Sequence, residues 1–252
     1  MKNIIIYVIL FSFLISCKNE KKNIEMSNIE SYFPISLNYS YKYYYINTNI
    51  NPNDTMDILT LAVTDTCFLD KKVAYTCEVR NKEKASISTQ FYAVTNDQIF
   101  LHSNIINDLL KFNEYQYSLK MPFYVDSIWI PLLDLRNNNT FEYEKNIQNI
   151  NFYNSNLTGK INIRTYFDKD TLYNYKNELI DSKMSILKFS FSGFIQFSDS
   201  SKKEIHFETQ LRTVFGLNYG ILESYVLPTK IDLHFASITY GGLLDKVFQI
   251  NY

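Results

Sequence analysis

Hydrophobic residues recur at every second position along almost the whole chain after residue 30. Residues 58–69 show the pattern clearly, because leucine, valine and cysteine alternate there with threonine. A period of two places successive side chains on opposite faces of a β-strand, whereas an amphipathic helix needs a period of about 3.6. The sequence therefore predicts a chain built almost entirely of strands.

Polar clusters such as Asn96-Asp97 separate the predicted strands and mark turns. One short helix is predicted over Asn104–Phe112, where the apolar residues share one helical face behind an asparagine cap. The predicted strands cover residues 39–46, 58–69, 73–79, 86–95, 98–102, 127–133, 141–147, 158–167, 184–197, 203–215, 221–227 and 230–240.

The composition agrees with this pattern. Tyrosine (21) and phenylalanine (19) far outnumber glycine (6) and proline (5), and aromatic residues favour strands. Hydrophobic residues make up 46% of the chain, which is enough for a sizeable core. We expect an all-β fold, in which a single curved antiparallel sheet closes into a partial barrel or sandwich with the short helix against it.

The charge balance argues against nucleic acid as a partner. Lysine and arginine number 25 and aspartate and glutamate 26, so no basic excess exists to neutralise a phosphate backbone. Glycine-rich loops that cradle phosphates are also absent from the sequence, and we predict no cofactor.

The N-terminus resembles the signal of a bacterial lipoprotein. A short positive start precedes the apolar run Ile4–Ile15, which is too short for the roughly 20 residues of a membrane-spanning helix. The run ends in Leu14-Ile15-Ser16-Cys17, which resembles a lipobox, and this resemblance implies acylation of Cys17. A conventional signal peptide is the alternative, but Ile15 fits poorly where small residues precede a cut.

These features predict three parts: a signal peptide (1–16), an acylated cysteine with a flexible tether (17–30) and one β-rich domain (31–252). The membrane is then a partner through the N-terminal lipid anchor. Lys18 follows the cysteine, and by resemblance to the known sorting rule the absence of aspartate there favours the outer membrane. The tether has more lysine than glutamate, unlike acidic surface-export signals, so we expect the domain to face the periplasm.

A weak internal repeat is present. Phe33–Tyr41 aligns with Met121–Trp129, and each copy has an apolar residue, proline and an apolar residue before Asn38 or Asp126. The chain here resembles a group of β-rich, mostly uncharacterised envelope lipoproteins of Gram-negative bacteria with repeated Phe-Pro-Leu-x-Val-Gly-x-x-Trp segments. Asn38 and Asp126 occupy the glycine position, so we predict a turn with positive φ at both.

Two cysteines remain after lipidation. Cys67 and Cys77 fall on the apolar face of the same predicted hairpin, in a compartment where disulfides form. A three-residue turn would leave them diagonal, and a five-residue turn would set them face to face. A disulfide and two buried thiols both stay open as predictions.

No catalytic constellation is predicted. The sequence has no Gly-x-Ser-x-Gly elbow, and its acidic residues form no evident pair for glycoside hydrolysis. His206 and Glu208, with Asp232 and His234, have spacings that a metal site permits, but alternation along the strand favours a solvated face, so we predict no metal.

These observations lead to a hypothesis of a non-catalytic outer-membrane lipoprotein that acts as a binding or accessory module of the envelope. Its partners would be envelope proteins or an apolar ligand. The alternative is a carrier that holds a lipid or another apolar molecule in a concave face of the sheet. A hydrolase without a recognisable motif is the third hypothesis.

Overall fold

The computed structural model describes residues 29–109, 111–114, 117–120, 124–136, 140–152, 155–232 and 237–251. The predicted signal peptide, the predicted lipidation site Cys17 and residues 18–28 of the predicted tether lie outside these ranges.

The described residues form two short helices and sixteen strands. None of their helices has the length and apolar character needed to cross a membrane. The helices are α1 (Ile29–Tyr32) and α2 (Asn104–Leu109). The strands are β1 (Ser40–Asn47), β2 (Thr55–Leu69), β3 (Lys72–Arg80), β4 (Ser86–Val94), β5 (Gln98–His102), β6 (Lys111–Glu114), β7 (Tyr117–Lys120), β8 (Trp129–Asp134), β9 (Phe141–Phe152), β10 (Ser155–Tyr175), β11 (Glu178–Gln196), β12 (Lys202–Gly216), β13 (Gly220–Val226), β14 (Thr229–Asp232), β15 (Ser237–Tyr240) and β16 (Leu243–Asn251).

Twelve of the strands form one antiparallel sheet in the order β8-β5-β4-β3-β2-β1-β16-β13-β12-β11-β10-β9. The sheet curves until it nearly closes into a barrel, and β8 at one end contacts β10 and β11 near the other. β6 pairs with β7, and β14 with β15, as separate two-stranded sheets. The predicted all-β fold, with one curved antiparallel sheet, is confirmed.

β1 lies in the middle of the sheet, between β2 and β16. Its tyrosines alternate between the two faces, as expected for a strand. Tyr41 and Tyr43 are buried inside, whereas Tyr44 points outward and stacks on Phe248 with 4.2 Å between ring centroids. The aromatic run therefore serves mainly as core.

The N-terminal segment plugs one part of the interior. Ile29 is 0% exposed, and the Phe33 ring lies 5.2 Å from Tyr92 and 6.3 Å from Phe215, on opposite sides of the barrel. The Tyr41 hydroxyl donates a hydrogen bond to the Pro34 carbonyl (2.7 Å). Residues 29 and 30 therefore belong to the folded domain and not to the predicted tether.

The two copies of the repeat differ at the glycine position. Asn38 has a φ of 72°, the predicted left-handed conformation, and its N–H donates to the Val63 carbonyl (3.1 Å). The expectation for Asp126 is wrong, because this residue is not among the described residues of positive φ. Its carboxylate instead accepts hydrogen bonds from Tyr143 and Lys145 (both 2.6 Å), which fix it against β9.

The hairpin of β2 and β3 has a shorter turn than either predicted length. Leu69 pairs with Lys72, so the loop is two residues, Asp70 and Lys71, both with positive φ. A bulge at Thr64 then shifts the register, because two residues of β2 oppose one of β3.

This bulge separates the two cysteines. Cys67 pairs with Ala74 and Val63 with Cys77, and residues three apart on β3 point to opposite faces. Both cysteines are free, which excludes the disulfide of the two open alternatives, and of the two thiols Cys77 is buried and Cys67 half-buried. The prediction that both share one face is wrong, since it took β2 as regular.

Replacing Asn38 tests the left-handed turn. Asn38→Val should destabilise the protein by about 1 to 2 kcal/mol, because a β-branched residue is strained at positive φ, whereas Asn38→Gly should be tolerated. Chemical denaturation of both variants measures the difference. Equal midpoints for valine and glycine would contradict the assigned role of the turn.

Candidate functional site

A cavity of about 210 Å³ lies inside the nearly closed barrel. Both halves of the sheet contribute to its wall, and α2 adds one residue. The cavity is lined by Tyr43, Tyr45, Leu59, Leu61, Val79, Gln90, Tyr92, Leu101, Ile105, Leu132, Leu211, Thr213, Ile221, Ser224, Val226, Leu243 and Asp245.

The wall is mostly hydrocarbon and tyrosine ring. Leu101 and Leu132 belong to the buried floor, together with Tyr43 and Tyr92. Other lining residues, such as Leu59 and Leu243, are half-buried and form the rim. Alternation explains the wall, because every second residue of a curved sheet points inward.

Asp245 is the one charged residue among the described residues that line the cavity. It lies on β16 and pairs with Tyr45 on one side and Ser224 on the other. Its Oδ1 atom is enclosed and accepts no hydrogen bond from the described protein groups. A buried acceptor without a partner costs free energy, since it has lost water and gained nothing in return.

Burial raises the pKa of Asp245 from the ordinary 3.8 to about 7. The residue keeps some surface toward the cavity, but protein atoms surround the carboxyl group closely, and this desolvation disfavours its charged form. A carboxyl group with a perturbed pKa in an apolar cavity marks a candidate binding site.

The neighbouring tyrosine hydroxyls donate their hydrogen bonds to groups other than Asp245. Tyr43 donates to the Ile221 carbonyl (3.2 Å), and Tyr92 donates to Gln90 Oε1 (2.7 Å). Both phenols have raised pKa values, with burial as the first cause in each case. These hydroxyls therefore stay protonated at neutral pH without donating to Asp245.

Sequence reasoning missed this site. Strand β16 was not predicted, although Leu243, Asp245 and Val247 fall at every second position. The signal was present, since an aspartate in phase with two apolar residues of a strand points to the core.

A second polar cluster joins His102, Asp70 and Ser127 at the β2–β3 turn. His102 Nε2 lies 2.9 Å from Asp70 Oδ2 and 3.1 Å from Ser127 Oγ, and the Ser127 hydroxyl donates to the same carboxylate. His102 Nδ1 lies 3.3 Å from both the backbone nitrogen and the side-chain Oδ1 of Asn104.

This arrangement argues against a catalytic triad. In a triad the serine and the acid contact different ring nitrogens, whereas here the single nitrogen Nε2 faces both Ser127 and Asp70. The cluster instead stabilises the β2–β3 turn. Trp129 also stabilises this turn. Its Nε1–H donates to the carbonyls of Leu69 and Asp70 (both 3.2 Å), and its ring packs edge-on against His102.

The outer face of β9–β12 carries a network of charged and polar groups. Glu142 pairs with Arg164, and Glu144 with Lys160. Of the residues considered for a metal site, Glu208 pairs with Lys188 and His206 contacts the Ser192 hydroxyl (2.8 Å). His234 lies outside the described residues, which contain no group of three or more potential metal ligands.

Comparison with known proteins gives distant similarities. No protein-family model matches this chain, and a search of curated proteins finds no match. A solved structure from Parabacteroides distasonis ATCC 8503, described as a "putative lipoprotein", has 10% identity and a TM-score of 0.45 over 87% of this chain and 98% of that chain. A "putative exported protein with YmcC-like fold" from Bacteroides fragilis NCTC 9343 has 6% identity and a TM-score of 0.37 over the same shares.

Asp245→Asn tests the buried acid through the pH dependence of stability. Between pH 3.8 and about 7 the folded state keeps a proton that the unfolded chain has released, so wild-type stability falls as pH rises through this window. The Asp245→Asn variant has no carboxyl group at this position, so its stability does not fall with pH in this way. It should match the wild type near pH 4 and exceed it near pH 8 by at most roughly 4 kcal/mol, as measured by urea denaturation.

Asp70→Asn is a matched control with the opposite sign. Hydrogen bonds from Ser127 and then His102 lower the pKa of Asp70, so its contribution is present at neutral pH and lost as pH falls through the lowered value. If both variants changed with pH in the same direction, Asp245 would not be a buried acid of raised pKa.

Proposed function

We propose that this chain is a lipid-anchored protein of the bacterial envelope that binds a small apolar ligand inside its barrel. The observation that carries the proposal is the cavity of about 210 Å³, whose wall is mainly leucine, isoleucine, valine and tyrosine. Of the hypotheses drawn from the sequence, this geometry favours the carrier with a concave apolar site.

The size of the cavity limits the ligand. Apolar cavities of about 150 Å³ bind benzene, so this one accepts a single ring or a short hydrocarbon chain. Larger ligands could insert an apolar end while the rest stays at the rim. The lining is already folded around this space, so binding needs little ordering of the protein.

The proposal is for binding without catalysis. The His102 cluster supports it, since one ring nitrogen, Nε2, faces the serine and the aspartate together. The charged groups of β9–β12 also support it, because they pair with each other on the outer face. Neither arrangement supplies a nucleophile with a free base.

The envelope location rests on the sequence. Leu14-Ile15-Ser16-Cys17 supports acylation of Cys17, and Lys18 supports the outer membrane. Residues 18–28 would connect the lipid to Ile29, which is buried in the domain. A periplasm-facing domain on such a tether could receive an apolar ligand near the membrane surface, alone or with other envelope proteins.

Cys17→Ser tests the anchor. Radiolabelled palmitate should mark the wild type, and the substitution should abolish the label and release the protein from the membrane fraction, because serine lacks the thiol that is acylated. Cys67→Ser is the control, since this thiol is a half-buried residue of the barrel. Label that persisted in the Cys17 variant would contradict lipidation at this residue.

Val79→Phe tests the cavity. Val79 is 8% exposed and lines it, so a larger side chain there should fill the space and abolish toluene binding. Toluene at about ten times its Kd should stabilise the wild type by about 1.4 kcal/mol in thermal unfolding, and the variant by nothing measurable.

Val73→Phe is the matched control on the same strand, because Val73 is 66% exposed and lies outside the cavity. It should respond to toluene as the wild type does. Circular dichroism checks that both variants fold. If toluene stabilised all three proteins equally, or none of them, the cavity would not be the binding site.

A further inference from the structure

The wall of the cavity has a carboxyl group but no counter-charge. Among the described lining residues there is no lysine, arginine or histidine, and Asp245 Oδ1 has no hydrogen-bond donor. We propose that the ligand is a small apolar amine whose ammonium group binds Asp245 while its hydrocarbon part fills the cavity. This inference rests on the proposed function and names the class of its ligand.

An ammonium group supplies what the site lacks. It provides N–H donors and a positive charge to the Asp245 carboxylate, and in a site of low polarity such a charge-assisted hydrogen bond is strong. The aliphatic wall then buries the rest of the ligand. A neutral hydrocarbon would gain only the burial of apolar surface and not the hydrogen bond to the carboxylate.

The aromatic residues around Asp245 favour the same ligand. Tyr43 and Tyr45 face the cavity from β1, and Tyr92 faces it from β4. The faces of aromatic rings attract cations. The hydroxyls of Tyr43 and Tyr92 already donate to protein acceptors, so these two residues offer their rings rather than a donor.

The same features disfavour fatty acids. An ionised carboxylate in this cavity would lie near Asp245 without a cation to pair with, and like charges repel strongly where water is excluded. The cavity should therefore discriminate between ligands of equal size by the sign of their charge.

The surroundings of Asp245 determine how binding depends on pH. The titratable groups that face it are Tyr43, Tyr45 and Tyr92, all of which are neutral near pH 7. Cys77, which interacts with Tyr43 and Tyr92, is buried, and burial raises its pKa to about 12. β13 contributes Ser224. Asp57 lies in the same row beyond Tyr45 and does not line the cavity.

Lys246 is the nearest cation along β16, but successive residues of a strand face opposite sides, and Lys246 pairs with Glu223 on the outer face. Asp245 is therefore the group whose ionisation controls the charge inside. Its burial raises the pKa to about 7, so an amine should bind more tightly as the pH rises through this value.

Three probes of nearly equal size test the proposal: benzylamine, benzyl alcohol and benzoate. Calorimetry with the acylated full-length protein in detergent should give benzylamine at least roughly tenfold higher affinity than benzyl alcohol near pH 8, and no binding of benzoate. Lowering the pH to about 5.5 should weaken benzylamine at least roughly fivefold and leave benzyl alcohol unchanged.

Asp245→Asn should remove the preference. Its affinity for benzylamine should fall at least roughly tenfold, while benzyl alcohol changes less than about threefold. Glu223→Gln is the matched control, because it also converts an acid to an amide but on the outer face, where the Glu223 carboxylate accepts a hydrogen bond from Tyr173 (3.1 Å). This control should bind all probes as the wild type does.

The outcomes separate the two proposals. If benzyl alcohol and benzylamine bind equally, or Asp245→Asn has no effect on benzylamine, the amine inference fails and apolar binding stands. If benzoate binds best, Asp245 is a neutral acid and the inference is also overturned. If neither benzylamine nor benzyl alcohol binds the wild type, the proposed function itself fails.

Discussion

The pairing of β1 with β16 holds the two halves of the molecule together. In the order of the large sheet, this pair joins the strands β1–β5 and β8 to the strands β9–β13. Its register sets Ser40 opposite Asn251, so residues from the two ends of the domain must meet before the barrel can close. Such distant contacts carry a large cost in chain entropy and fold slowly. The interior, the cavity and the position of Asp245 all depend on this joint.

The N-terminal plug and the joint support each other. Phe33 contacts Tyr92 of one half and Phe215 of the other, and the left-handed turn at Asn38 then leads the chain into β1. The second copy of the repeat has a different task. Trp129 on the end strand β8 and the His102 cluster stabilise the β2–β3 turn. Asp126 in this copy does not adopt a positive φ. A repeat of sequence therefore does not imply a repeat of backbone conformation here.

The sequence predicted most of the fold because alternation is a local signal. It predicted β5 with its observed ends and α2 with its observed start, but it extended that helix over Lys111 and Phe112, which belong to β6. It missed the long arms of β10 and β11, since their turn at Lys176-Asn177 reaches positive φ without glycine. It also misplaced Cys67, because a bulge such as that at Thr64 reverses the faces of a strand with little trace in composition. Local alternation does not predict which distant strands pair with each other, above all β1 with β16.

Asp245 is where the fold departs from the rules that shape the rest of it. A leucine on β16 would add to the core, and an aspartate in an apolar wall has no stabilising role without a partner. Such departures from stability are expected at functional sites, where the folded state gives up free energy for an interaction it makes with another molecule. Because Asp245 lies on the joint strand and the wall comes from both halves, a ligand in the cavity would contact both sides of the joint. Binding would then stabilise the closed barrel by mass action, since the separated halves would have no such site.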